Sequence, residues 1–144
     1  MSSEISDCHV PYTPGIPQIV NQPGQFSYEN GIVLTKVQPG YGEGLLHVQP
    51  TSQNPHGTVH GGCLYTLADT VAGSAACARG ASCVTVSGTL EFLRPAFGAQ
   101  IHCVATPKKE GHTLSVMQVV LTNDSDVVVA TGTFTFFLSE REKT

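Results

Sequence analysis

Between Glu43 and Glu91 lie 47 residues, and Asp69 and Arg79 are the only charged ones among them. Asp69 sits in the run Leu67-Ala68-Asp69-Thr70-Val71. A carboxylate with such neighbours needs a hydrogen bond or a raised pKa, because burying an unpaired charge is costly. Those are conditions under which a carboxylate works as a base or a nucleophile. The competing reading is a polar helix face, with Asp69 bonded to a loop amide.

Eight residues before Asp69 stands Gly61, followed by Gly62 and preceded by His60 and, farther upstream, Asn54. The first amides of a helix have no intrahelical acceptor, and the positive helix end favours a developing oxyanion. His60 and Asn54 are placed to orient this loop or a ligand; the plainer reading is a tight entry turn. A helical rise of about 1.5 Å per residue sets Gly61 and Asp69 roughly 12 Å apart. An attacking group must sit about 3–3.5 Å from the carbonyl. One helix therefore cannot bring both to one reacting centre. Two antiparallel helices across a two-fold axis could, pairing Gly61 of one subunit with Asp69 of the other.

His56 and His60 have the spacing of a helical metal pair, but they lie in a Pro-Gly loop with no Glu after the first, so no metal site is expected. Cys63, in the first helical turn, reads as a buried thiol, and Cys77 and Cys83 as small packing residues.

These residues need elements to hold them. From Gly61 to Ala78 no proline interrupts a run rich in Ala, Leu and small residues, which predicts a helix buried on all sides. Six strand candidates surround it: Gly31–Gln38, Gly44–Gln49, Cys83–Leu93, Ala99–Thr106, His112–Thr122 and Val127–Leu138. Links between the last four are too short for helical crossovers, which predicts an antiparallel meander. Lys108 and Lys109 fall in one of its turns, and His102-Cys103 reads as a packed core pair. Phe134 and Phe136 alternate as a core face. A sheet curved around one helix needs a cover for its outer face. Residues 1–25, rich in Pro and Gly, read as an extended or mobile lead-in to a single domain over 26–140.

Composition bounds the function classes. The chain has 144 residues, 40% of them hydrophobic, enough for one domain with a real core. Charged residues make up only 12%, about half the ordinary share, and self-association is the simplest cover for such a surface. A net charge of −4 without a basic run argues against nucleic acid. No apolar stretch approaches a membrane span of about 18 residues, and the N-terminus lacks signal-peptide features. Five Cys with no Cys-x-x-Cys pair argue against a disulfide framework or a zinc knuckle. A soluble, cytoplasmic protein is expected.

The stretch Asn54-Pro55-His56-Gly57-Thr58-Val59-His60-Gly61-Gly62, then Leu67-Ala68-Asp69-Thr70, resembles the signature of hotdog-fold acyl-CoA thioesterases of the phenylacetate-degradation (PaaI) type. Val84 to Pro95 resembles that family's first strand after the helix, and Gly111-His112-Thr113 its following hairpin. The likeness covers about residues 30–138. It implies an α+β hotdog fold, with one long helix wrapped by an antiparallel sheet, and hydrolysis of an acyl- or aryl-CoA substrate. By this resemblance Asp69 is the base or nucleophile and the Gly61 N–H polarises the carbonyl. Asn54 and His60 help hold the thioester or water. Thr85 stands where some members place a water-assisting Ser. Gly62 is expected near the substrate. Arg94, Lys108 and Lys109 are candidates for the CoA phosphates, against a reading as solvated loops. Dimers, often paired into tetramers, are implied, and no metal or organic cofactor is.

Two other readings compete. A non-catalytic acyl-CoA-binding hotdog protein, a sensor or carrier, has no need of a buried carboxylate. A hotdog dehydratase or hydratase needs a paired His and carboxylate in motifs that this chain lacks.

Overall fold

The computed structural model describes residues 15–139. Helix α1 (Gly15–Val20) and the single turn α2 (Phe26–Glu29) precede strands β1 (Ile32–Gln38) and β2 (Tyr41–His47). A 3₁₀ turn at Pro50–Ser52 leads to the long helix α3 (Gly61–Cys77). Then come β3 (Ser82–Phe92), β4 (Gln100–Glu110), β5 (Leu114–Thr122) and β6 (Val128–Ser139). All six strands form one antiparallel sheet in the order β1-β2-β4-β5-β6-β3, and α3 lies against every one of them. No helix among the described residues is long and apolar enough to cross a membrane.

The element order matches the expected one, with one topological correction. β4, β5 and β6 form a meander, but β3 pairs with β6, from Ser82 opposite Ser139 to Phe92 opposite Ala130. The link Leu93–Ala99 therefore spans three strand spacings, about 14 Å, which a seven-residue segment covers without a helix. Short links exclude a helical crossover; they do not require neighbours in sequence to be neighbours in the sheet. The first hairpin is also tighter than expected: β2 starts at Tyr41, after a turn in which Gly40 takes φ +73°.

The core joins the inner face of the sheet to one side of α3. Phe134, Phe136, Met117, Leu121 and Ile101 meet Leu67, Val71 and Ala75, all essentially buried. Burying each large side chain stabilises by about 1.5–3 kcal/mol. The helix is not buried all round, contrary to expectation. Gly62, Tyr65, Thr66, Asp69, Thr70, Gly73 and Cys77 form a second stripe that is open or half-open in the single chain. The outer sheet face mixes polar Thr106, Gln118, Thr131 and Thr133 with apolar side chains such as exposed Val120 and Phe137.

Residues 15–25, read as part of an extended lead-in, contain α1, and Ile16 is buried. Pro17 occupies a first-turn position, where an amide would have no helical partner anyway. Asn21 clips the segment to β1: its Nδ2 donates to the Leu34 carbonyl and its Oδ1 accepts from the Leu34 N–H, both at 2.9 Å. Residues 1–14 of that lead-in lie outside the described residues.

Two glycines of β2 let α3 lie close on the sheet. A Cβ at Gly44 would stand 2.7 Å from Val71 Cγ2 and 3.0 Å from the Val33 carbonyl. Gly44→Val is expected to force the helix outward and cost about 1–3 kcal/mol in denaturant unfolding.

Candidate active site

The loop before α3 is built from its own polar side chains. Asn54 Oδ1 accepts from the His56 and Thr58 amides, and Asn54 Nδ2 donates to Thr58 Oγ1 at 2.8 Å. Oδ1 and one Nδ2 N–H of that side chain fold the loop, and the second Nδ2 N–H has no acceptor among the described residues. Asn54 therefore orients the loop, one of the two roles that its position suggested. The Val59 N–H donates to the Ala96 carbonyl and the His60 N–H to the Ser52 carbonyl, fixing the approach to the helix.

His60 is the N-cap of α3. Its Nδ1 accepts from the Gly62 N–H at 2.8 Å, which leaves Nε2 as the donor of the neutral ring. The Gly62 amide is thus occupied by the cap. The Gly61 N–H, by contrast, has no acceptor among the described residues. Gly61 faces a cleft of about 360 Å³ shared with Asn54, Phe92 and Arg94. A Cβ at Gly61 would touch the Phe92 ring at 3.4 Å, so the residue lies directly beneath that aromatic edge.

Asp69 lies two turns along α3 in a different cavity, of about 490 Å³. Thr85 Oγ1 donates to Asp69 Oδ1 at 2.8 Å, so the carboxylate is hydrogen-bonded, as the sequence required, though half-exposed in the single chain. The strand is adapted for this contact. The β3–β6 register shifts between Thr85 and Ser87, so Val86 is an extra residue, and such bulges re-aim neighbouring side chains. Gly73, Ser74 and Phe136 form the cavity wall, joined by Ile16 and Val20 from α1.

The candidate residues therefore fall in separate hollows of one chain. Asn54, Gly61 and Arg94 share one cleft; Asp69 and Thr85 share another; His60 and Gly62 border a third hollow with Cys63 and Thr66. Arg94 is steadied by its own bond to the Val128 carbonyl. Lys108 and Lys109 are not in a turn: they are exposed residues of β4, with a register shift between Pro107 and Lys109. They stand at the end of the sheet opposite Arg94, because β4 pairs His102 with Thr122 at one end and Glu110 with Ser115 at the other. His102 is exposed while Cys103 is buried, since alternation sends them to opposite faces and they cannot be a core pair. Burial pushes the Cys63 thiol above its ordinary pKa, which suits a packing residue.

Sequence reasoning missed Ile16, Val20, Cys77 and Cys83 as cavity residues and Phe92 as the lid over Gly61. Strand alternation held a usable signal for one of them: Cys83 and Thr85 share a face of β3.

The thioesterase superfamily model matches residues 56–130, which include Gly61, Asp69, Thr85 and Arg94 but not Asn54. Acyl-coenzyme A thioesterase PaaI of Escherichia coli is 30% identical over 101 residues, covering 69% of this chain and 72% of that protein. The solved structure of E. coli PaaI, from the phenylacetic acid degradation operon, superimposes with a TM-score of 0.76 at 25% identity, covering 82% of this chain and 86% of its own. A Streptococcus mutans protein bound to acetyl-CoA gives a TM-score of 0.72 at 26% identity, covering 78% and 91%.

The cap yields a stability prediction. His60→Ala is expected to lose about 1 kcal/mol in denaturant unfolding, and His60→Asn to recover most of it, since Asn caps equally well.

Proposed function

Because this chain belongs to the thioesterase superfamily, we propose that it hydrolyses an acyl- or aryl-CoA thioester to the free acid and CoA. Asp69 is the base or nucleophile in this reading. The observation that carries it is the Thr85-held carboxylate on the same helix whose first amide, at Gly61, has no acceptor among the described residues. Hydrolysis puts negative charge on the thioester oxygen. The Gly61 N–H and the positive end of α3 stabilise that charge where it develops. Asp69 either takes a proton from water or attacks the carbonyl to give a mixed anhydride. Thr85 fixes the carboxylate rotamer in both routes.

The site is completed by a second subunit. Gly61 and Asp69 are about 12 Å apart on one rigid helix, so the Gly61 of one chain works with Asp69 of the partner subunit. The edge strand β3 supports this assembly. It is 11 residues long, paired on one side only, with Val84 64% and Val86 58% exposed. Such an edge invites pairing with another chain. Antiparallel pairing about a two-fold axis lays the open stripes of the two α3 helices together. It also carries Lys108 and Lys109 of the partner subunit to the end that holds Arg94, which gathers cations for the CoA phosphates. Pairing of dimers into tetramers fits the charge-poor composition. Four free thiols among the described residues suit a reducing cytoplasm. Aryl-CoA is the favoured substrate class because PaaI comes from a phenylacetic acid operon.

Steady-state CoA release from phenylacetyl, benzoyl, short-chain and long-chain CoA esters tests this reading. Asp69→Asn is expected to lower turnover by at least about a hundredfold. Full retention would remove Asp69 from the mechanism, and absent turnover with intact ester binding would make the chain a carrier or sensor. Thr85→Val should cost about tenfold or more in kcat, the worth of a hydrogen bond to a charged group, while Thr85→Ser stays near wild type. Val84→Arg should convert dimer to monomer in sedimentation and abolish turnover together; an active monomer would sink the shared site.

A further inference from the structure

The wall of the Asp69 cavity holds two residues that the hydrolytic reading leaves idle. Cys77 ends α3 and Cys83 is the second residue of β3. The reversal between them is tight: Gly80 takes φ +93°, and its N–H donates to the Cys77 carbonyl at 2.9 Å. This returns Cys83 to the helix, where its sulfur stands 2.7 Å from that of Cys77. Bonded sulfur atoms are about 2.05 Å apart, so bond closure asks for a shift of under about 1 Å. Both thiols are half-buried and line the cavity of about 490 Å³ with Asp69 and Thr85. A small solute that enters the cavity meets both.

The two thiols are unequal. The Cys83 hydrogen bond lowers the Cys77 pKa. The same contact, then burial, then the charges of Cys77 and Asp69 raise that of Cys83. Cys77 is therefore the thiolate former, and the thiolate is the reactive species. Burial pushes Cys63 and Cys103 upward, and neither has a thiol partner among the described residues.

From this juxtaposition we propose that Cys77 and Cys83 form a reversible intrachain disulfide when a peroxide enters the cavity, making this wall of the site redox-sensitive. The Cys77 thiolate attacks a peroxide oxygen: an S–O bond forms, the O–O bond breaks, and the departing hydroxide takes up a proton to become water. The Cys83 sulfur then attacks the sulfenyl sulfur. An S–S bond forms, the S–O bond breaks, and hydroxide leaves with the Cys83 proton as a second water. Two electrons pass from the sulfurs to the peroxide, and a dithiol reductant reverses the change. Cys83 and Thr85 share a face of β3, so the new bond fixes the strand beside the residue that holds Asp69. The proposal does not depend on what the chain hydrolyses.

Arg79 lies between the two cysteines, which makes the test direct. Trypsin cuts after Arg79 and leaves the two peptides joined only if the disulfide exists. Full-length protein is treated with equimolar hydrogen peroxide, alkylated, digested without reductant and read by mass spectrometry. A 1:1 mixture of ¹⁵N-labelled and unlabelled protein, unfolded under reducing conditions and refolded together so that subunits mix, separates links within a chain from links between chains. The expected product is a linked pair of uniform isotope that disappears with dithiothreitol and in Cys77→Ser or Cys83→Ser, and persists in Cys63→Ser, Cys103→Ser and Asp69→Asn. Free, alkylated Cys77 and Cys83 after peroxide, a sulfinic acid at Cys77, or mixed-isotope pairs would each overturn it. The isotope experiment on wild type decides the matter even if Cys77→Ser does not fold.

Discussion

An α-helix holds its residues at fixed intervals, and everything else here answers to the interval between Gly61 and Asp69 on α3. At about 1.5 Å per residue the free amide and the carboxylate stand roughly 12 Å apart. No side-chain rotation closes that gap. The chain accordingly builds around each end separately. The Asn54 loop and the His60 cap shape the amide end, and Thr85 on the bulged β3 holds the carboxylate end. In the proposed dimer a second rod running the other way brings the two ends together.

That arrangement explains where the small residues are. Gly42 and Gly44 let the buried side of α3 lie close on β2, since a Cβ at Gly42 would come within 3.0 Å of the Val71 carbonyl. Gly73, on the open side, touches Phe136, where a Cβ would stand 3.3 Å from the ring. Close packing below fixes the helix height, and small residues above leave the cavity beside Asp69. The edge strand belongs to the same design. β3 is long, unpaired along one side and exposes Val84, Val86 and Phe92 among polar Thr85, Ser87, Thr89 and Glu91; a long open edge is a feature that soluble proteins ordinarily blunt.

Much of this was legible in the sequence because local signals and the fold agree. The uninterrupted run after Gly61 marked α3 to within a residue, and turn residues marked the existence of all six strands, though β2 starts before the expected Gly44 and β4 runs past the expected Thr106 through Lys108 and Lys109. The isolated charge at Asp69 and the paired glycines marked the hydrogen-bonded carboxylate and the capped start of α3. Strand order was not legible: whether β3 pairs with β4 or β6 depends on the path of Leu93–Ala99 over the sheet end, which hairpin signals do not encode. The open stripe of α3 was hidden for a different reason. Tyr65, Gly73 and Cys77 look like core by composition, and one sequence cannot tell a face buried in its own core from one left for a second copy. The helix α1 was masked by Pro14 and Pro17, which suggest extended chain unless the proline sits in a first turn.

The half-exposure of Asp69 follows from the same division. A carboxylate sealed in a single chain would bear its full desolvation cost during folding, before any partner or substrate could offset it. On the open stripe it folds in contact with water and one hydroxyl, that of Thr85. In the proposed dimer a second chain removes the water and lowers the local dielectric, which strengthens both the Thr85 bond and the field of the opposing Gly61 amide. The proposed function thereby links catalytic competence and association in one step. The thiol pair at the end of the same helix stands where that step is most sensitive, because it joins α3 to the strand on which both the hydroxyl and the association edge depend.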